Sequence, residues 1–330
     1  MRLTTTIILV AILTGGCQKG ATQRERTPRT RISTEVSKDN SVPMTDRVTA
    51  AKRKLRDELA NFGLSRVADV LEKRMAVSIR LTAASASHDV KLGSSKLGGT
   101  PDLPEGTMWP QCNGVPMALL AQLRLQDLNP YDTDGWLPKS GILYFFYEAK
   151  DQVWGFDPKD RGHWSVIYHD GDLEKLRPTK PPAGLPEECR FQPCELGFHN
   201  EITLPSWDSQ EVDRLKLSEK EGDTYINLLD AGVGSSHRMF GHPDQVQGDM
   251  TLECQLVSHG ISTGSPEGFA DPRRAALEKG ADDWKLLLQV DSDAELGTMW
   301  GDSGRIYFWI RDQDLKKRDF SNVWLVLQCY

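Results

Sequence analysis

The side chains best suited to chemistry gather near the C-terminal end of this chain. Asp291-Ser-Asp293-Ala-Glu295 carries three carboxylates at alternate positions, and Asp302 follows Trp300 within Trp300-Gly-Asp302-Ser-Gly304. Carboxylates so spaced are hard oxygen ligands of the kind calcium takes. The stretch lacks the glycine at the sixth place and the glutamate at the twelfth that complete an EF-hand loop. Further upstream, Phe240-Gly-His242-Pro-Asp244 sets a histidine two residues from an aspartate, the residue types from which a general base is built. His242 with Asp291, Asp293 and Asp302 defines one reading of the chain, a hydrolase or metal-dependent enzyme. Gly301-Asp-Ser-Gly304 supplies no nucleophile for it: the Gly-x-Ser-x-Gly elbow is missing, and the stretch reads as a turn entering a strand.

An internal echo weakens the enzyme reading. Leu-Gly-Gly-Thr-Pro-Asp-Leu-Pro-Glu-Gly at 97–106 parallels Met-Phe-Gly-His-Pro-Asp-Gln-Val-Gln-Gly at 239–248. Thr100 stands where His242 stands, so the shared element is Gly-x-Pro-Asp. Proline fixes φ and aspartate bonds the backbone two residues on, which is turn chemistry. Each copy leads to an apolar run holding one glutamine, Gln122 in Leu-Leu-Ala-Gln-Leu and Gln289 in Leu-Leu-Leu-Gln-Val. Each then reaches a glycine-led aromatic run, at 141–147 and 304–310. Gln328 interrupts a third apolar strand, and Gln255 a looser one in Leu-Glu-Cys-Gln-Leu-Val.

A buried amide without partners costs roughly 1–3 kcal/mol, so these glutamines need partners. They either bond loop backbone and lock the two halves together, the favoured reading, or line a shared polar pocket. Gln122, His242, Gln289, Asp291, Asp293, Trp300 and Asp302 are thus the candidate ligand-binding residues. Trp109, Trp154, Trp164 and Trp300 stand near strand ends, where they fill a core or line a pocket.

The elements that must position these groups follow from periodicity. Val48, Ala51, Leu55, Leu59 and Phe62 recur at helical spacing until Gly63, and a second short helix follows Ser65. After Met75 the texture changes to short apolar or aromatic runs bounded by Gly, Pro, Asp and Asn, which read as strands. Ser218 and Asp271 open two further helical stretches. Strands without strict β-α alternation indicate an α+β fold, mostly antiparallel. The echo divides it into two diverged halves, 76–205 and 206–330, preceded by N-terminal helices.

The N-terminus reads as an address. Arg2, an apolar run and Leu13-Thr-Gly-Gly-Cys17 describe a signal peptide over 1–16, too short to span a bilayer. It resembles a bacterial lipoprotein signal, which makes Cys17 the lipidated residue and the membrane a partner through its anchor. Gln18 after the cysteine points to the outer membrane. Residues 17–44 are rich in Lys, Arg, Thr, Ser and Gln and read as a disordered tether to the domain at 45–330. A net charge of −7 argues against nucleic acid as a partner. Cys112, Cys189, Cys194, Cys254 and Cys329 would then meet an oxidising compartment. A Cys189–Cys194 bridge, free thiols, and zinc held by Cys189, Cys194 and His199 all stay open.

Many stretches in order resemble the bacterial YwqG-like proteins, the domain of unknown function DUF1963. They include Lys-Leu-Gly-Gly-Thr-Pro-Asp-Leu-Pro-Glu-Gly at 96–106, Leu-Pro-Lys-Ser-Gly-Ile-Leu-Tyr-Phe-Phe-Tyr at 137–147, the Phe240–Gly248 stretch and the closing Phe-Ser-Asn-Val-Trp-Leu-Val-Leu-Gln-Cys-Tyr. The resemblance runs from about Lys96 to Tyr330. It implies a duplicated α+β fold and no particular chemistry. With no activated nucleophile, phosphate loop or complete metal set in view, no cofactor or metal is expected. The sequence favours a membrane-anchored, extracytoplasmic, non-catalytic binding or protein-interaction module over the enzyme.

Overall fold

A computed structural model describes residues 32, 34–229 and 236–330 of the chain. The signal segment and Cys17 lie outside the described residues. The fold is α+β: helices lead, and one ten-stranded antiparallel sheet forms the body. Its strands in chain order are β1 (Ala76–Ala83), β2 (Lys96–Leu97), β6 (Ala118–Arg124), β7 (Ile142–Tyr147), β8 (Trp164–His169), β10 (Cys194–Thr203), β11 (His237–Met239), β12 (Trp284–Asp291), β13 (Arg305–Arg311) and β14 (Trp324–Gln328). Two small ribbons stand apart, β3 (Asp102–Pro104) with β9 (Leu176–Pro178), and β4 (Gln111–Cys112) with β5 (Val115–Pro116).

The spatial order is β14-β13-β12-β11-β1-β10-β2-β6-β7-β8. It is symmetric about the β1–β10 pair: β11 to β14 run outward on one side, and β2 with β6 to β8 run outward on the other. β10 stands to β11 in the chain as β1 stands to β2. The sheet contacts therefore put β10 with the second half, ahead of the boundary at 206 read from the sequence. Each half also lends its first strand to the other. Ile79 of β1 opposes Met239 of β11, and Cys194 of β10 opposes Leu97 of β2. The halves interlock at the centre of the sheet.

The sheet curls until its outer strands meet. The Trp164 and Trp324 rings lie 5.0 Å apart. Each indole donates across the gap at 2.8 Å, Trp164 Nε1 to Val323 O and Trp324 Nε1 to Gly155 O. Leu327 N also donates to Trp154 O, so loop backbone covers the β14 edge. Inside the curl the aromatic runs of the two halves pack together, Phe145 against Phe308 at 5.1 Å. Burying such rings is the main apolar contribution to stability here.

A second, smaller core joins helices to the end of β10. The helices there are α1 (Met44–Leu59), α2 (Ala68–Arg74), α4 (Gln210–Asp213) and α5 (Glu219–Leu229), while α3 (Leu125–Leu128) and α6 (Thr251–Ser258) pack on the main core. Leu55 and Leu59 of α1, Leu71 of α2 and Tyr225 of α5 are buried there with Ile202 and Leu204. Ile32 and Val36 are buried in the same core, and Ile202 N donates to Thr34 O at 2.7 Å. The stretch read as a disordered tether thus becomes ordered structure before Pro43. Its few large apolar residues are the ones that dock.

Candidate functional site

The two Gly-x-Pro-Asp turns are held by the same clamp. In the first half, Gln122 Oε1 accepts from Asp102 N at 2.7 Å, while its Nε2 donates to Ser94 O and to Asp102 Oδ2 at 2.9 and 2.8 Å. In the second, Gln289 Oε1 accepts from Asp244 N at 2.9 Å, and its Nε2 donates to Ser236 O and Asp244 Oδ2 at 2.7 and 3.0 Å. Tyr144 OH donates to Asp102 O, and Tyr307 OH to Asp244 O, both at 2.6 Å. A buried cation faces each aspartate: Lys96 Nζ at 3.0 Å from Asp102, and Arg238 at 2.8 Å from Asp244. Both clamping strands slip register at matching places, between Leu119 and Ala121 and between Leu286 and Leu288. Such a bulge re-aims the side chains that follow it, here the glutamines.

The glutamines therefore bond loop backbone as expected, but each locks its own half's turn. They do not lock one half to the other. Gln328 repeats the theme in the second half only. Its Oε1 accepts from Val246 N and Gln247 N, and its Nε2 donates to Gly248 O. Gln255 lies on helix α6 rather than on a strand. There it donates to Leu277 O and accepts from Trp284 Nε1. Lys96, Arg238, Tyr144 and Tyr307 escaped the sequence reading, though a signal was present. Each cation stands six residues before its aspartate, and each tyrosine three after the glycine of its aromatic run.

Around Asp244 the second half adds charge that the first half lacks. Arg238 also approaches Glu201 at 3.2 Å, and Arg305 Nε approaches Asp291 Oδ1 at 3.2 Å. Burial alone would raise the Asp244 carboxyl; the guanidiniums of Arg238 and Arg305 outweigh it and hold the group below its ordinary value. Ile142 stands where Arg305 stands, each at the start of its aromatic strand.

Two of the predicted carboxylates, Asp291 and Asp293, are spent on their own fold. Asp291 is buried and accepts from Ser236 N and Ser292 N at 2.8 and 2.9 Å. Asp293 accepts from Glu295 N at 2.7 Å and faces His237 Nε2 at 3.1 Å. His237 Nδ1 accepts from Asp291 N, which fixes the proton on Nε2. The histidine that meets the acidic loop is thus His237, not His242. Asp302 is exposed, and its carbonyl accepts from Tyr330 N. Trp300 is fully buried in the main core against Tyr147 and Phe191. Among the described residues no group of three or more His, Cys, Asp or Glu side chains is placed to hold a metal ion. Cys112, Cys189, Cys194, Cys254 and Cys329 are buried free thiols, so Cys189 and Cys194 form no bridge. Burial pushes the Cys189 thiol up to about 11, which leaves it unreactive at neutral pH.

His242 has a different setting. Its Nε2 donates to Arg74 O, the last residue of α2, at 2.7 Å, and its backbone N donates to Thr203 Oγ1 at 2.9 Å. Thr203 Oγ1 in turn donates to Ala76 O. In the first half Gly99 N donates directly to Phe191 O. Burial depresses the His242 pKa, so the ring is neutral at pH 7, with Nδ1 as its acceptor.

A cleft of about 870 Å³ lies beside this turn, between residues 205–214 and the start of β12. Trp136, Phe240, Trp284 and Trp309 line it, together with His242 and Lys285. Trp136 comes from the first half and meets Phe240 edge-on at 4.8 Å, with the Lys285 ammonium 4.7 Å above its ring. Phe240 holds φ +61, where the first half has Gly98 at φ +66. At Gly98 a Cβ would come within 2.3 Å of Gln192 O, so only the second copy has room for a side chain. A left-handed phenylalanine is strained, and strain of this kind gathers at functional sites.

Fold and site together define the class: a duplicated, antiparallel α+β domain whose two glutamine-clamped turns differ by an open cleft beside the second. The chain belongs to the family described as Domain of unknown function (DUF1963), whose model matches residues 95–329. The match begins after β1, although β1 is a central strand of the sheet. A comparison with curated proteins gave no match.

Proposed function

We propose that this protein is a non-catalytic binding module of the bacterial cell envelope, anchored by a lipid on Cys17 and binding its ligand or protein partner in the cleft beside His242. The cleft itself carries the reading. Its volume falls in the range of ligand sites, aromatic rings line it, and it lies where the helical layer meets the second half, a common place for such sites. Asp291 and Asp293, two of the three carboxylates of the hydrolase reading, are committed to backbone amides, His237 and Arg305, which supports binding over catalysis. The lipobox-like Leu13–Cys17 supports the anchor, and Gln18 supports an outer-membrane address.

The test is capture from native membranes with the intact lipidated protein, followed by mass spectrometry, beside Ser209→Trp, which fills the cleft. A partner held by wild type and lost with the variant is the expected result. No specific partner, together with metal-dependent turnover in a broad substrate screen, would sink the reading. Cys17→Ser is expected to move the protein from the membrane to the soluble fraction.

A further inference from the structure

We infer that the cleft binds a neutral saccharide, its ring laid against Trp136 and its hydroxyls bonded to the polar lining. This rests on the cleft being a binding site. A sugar ring is itself amphipathic, with axial C–H groups on its faces and hydroxyls around its edge. The cleft has the matching composition. Trp136 is half-buried and offers ring surface, while Phe240, Trp284 and Trp309 are each 5% exposed or less and add only edges. Ser206, Ser209, Gln245 and Thr251 bring neutral hydrogen-bonding groups to the same space.

Charge favours a neutral occupant. The lining carries five Lys or Arg side chains against four carboxylates, in a chain whose net charge is −7. Two of the cations already have carboxylate partners within the lining, Arg74 with Glu211 at 3.1 Å and Arg274 with Glu278 at 3.5 Å. Lys285 is engaged outside it by Asp312 at 3.7 Å and by the Trp136 ring. A strongly charged ligand would compete with these pairs; an uncharged one leaves them intact.

Two unmatched groups sharpen the class. His242 has committed Nε2–H to Arg74 O, so what its ring still offers is the Nδ1 acceptor. Trp309 is 4% exposed and its Nε1–H has no partner, although buried donors are seldom left so. A ligand that reaches both must carry a donor for Nδ1 and an acceptor for Nε1–H, which is closed to solvent in the free protein. A hydroxyl does so, and an N-acetyl amide does so with separate atoms.

Tryptophan fluorescence, with calorimetry as a second readout, measures the binding of two probes, a tetrasaccharide of N-acetylglucosamine and one of glucose. Binding of either is expected, weakened about tenfold by His242→Ala and by Trp136→Ala, the loss that one good polar or ring contact supplies. Met108→Ala, at an exposed residue outside the cleft, is expected to leave binding unchanged. Circular dichroism of each variant separates loss of contact from loss of fold, and Ser209→Trp blocks the cleft without touching the His242 bonds. Saccharide binding that survives all three cleft variants overturns this site. Failure of both saccharides up to millimolar concentration overturns the class. If a neutral tetrapeptide binds where they fail, the cleft stands as a binding site and the saccharide does not.

Discussion

The two halves of the sheet hold one turn in two ways, and the differences locate the site. Around Asp102 the clamp is closed and spare: one lysine, one tyrosine and one glutamine, with Gly98 and Gly99 pressed against backbone and Pro193. Around Asp244 the same three contacts persist, but Glu201, Arg305 and Asp291 join the ion pairs. Phe240 and His242 replace Gly98 and Thr100, and a cleft opens beside them. The shared contacts are those that fix backbone. The added ones bring side chains to a surface. Duplication here has left one copy as scaffold and the other with room for a ligand.

The comparison breaks most readily at the buried ion pairs. Asp102→Ala takes from Lys96 the carboxylate it pairs with, and losing one member of a buried pair costs about 3–5 kcal/mol. Asp244→Ala takes the bidentate partner of Arg238 but leaves it Glu201 at 3.2 Å. In urea unfolding at neutral pH the Asp102→Ala loss is therefore expected to exceed the Asp244→Ala loss. Equal losses in the two variants would show that the two clamps are not distinguished by the charges around them.

Next in size are the glutamines. Gln122→Leu and Gln289→Leu each leave the amide of a turn aspartate without its acceptor, a loss of about 1–3 kcal/mol. Because the bonds match, the two losses are expected to agree to within about 1 kcal/mol. A large difference in chemical denaturation would mean that the surrounding charges, not the clamp, hold one of the turns.

How much of this was legible in the chain depends on how local each cause is. Seven apolar strand runs announce themselves, and the Pro-Asp echo exposes the paired turns, because both signals lie in a few adjacent residues. β10 did not announce itself. Cys-Glu-Leu-Gly-Phe-His-Asn-Glu-Ile-Thr reads as polar, yet Asn200 and Glu201 are buried because Tyr131 O, Ser78 and Arg238 satisfy them from distant segments. The acidic loop misled for the same reason: Asp291 and Asp293 look free until Ser236, His237 and Arg305 are folded onto them. The cleft was illegible. Trp136 arrives from the other half, and Arg74 from the helical layer.

A third contrast concerns α6, which follows the second turn where the first turn is followed by the β4–β5 ribbon. Glu253 on α6 has no counterpart in the first half. Burial raises its carboxyl to about 7, with Thr263 Oγ1 as a donor at 3.2 Å. A raised folded pKa means that the unfolded chain loses its proton first, from its ordinary value near 4.5. Stability from this group is thus complete below that pH and falls as pH rises to about 7, by on the order of 3 kcal/mol. Glu253→Gln is expected to flatten that slope and to exceed wild type in stability at pH 8. Identical slopes in the two proteins would remove Glu253 as the cause.

The finest test concerns Gln328, a strand glutamine without a twin. Gln328 holds the amides of Val246 and Gln247 just beyond the second turn, where the first turn runs on as β3 and pairs with β9. His169 stands in the place of Gln328, opposite Ile142 as Gln328 is opposite Arg305. Strand pairing secures the one loop and a single side chain secures the other. Gln328→Ala should therefore leave global stability nearly untouched while hydrogen exchange at Val246 and Gln247 quickens roughly fivefold, the effect of about 1 kcal/mol of local protection. His169→Ala should leave exchange at Leu103 unchanged. Were Gln328→Ala to alter exchange across β13 and β14 as well, the loop and the outer strands would open as one unit. Ligand entry to the cleft would then require the edge of the sheet to move, not only the loop beside it.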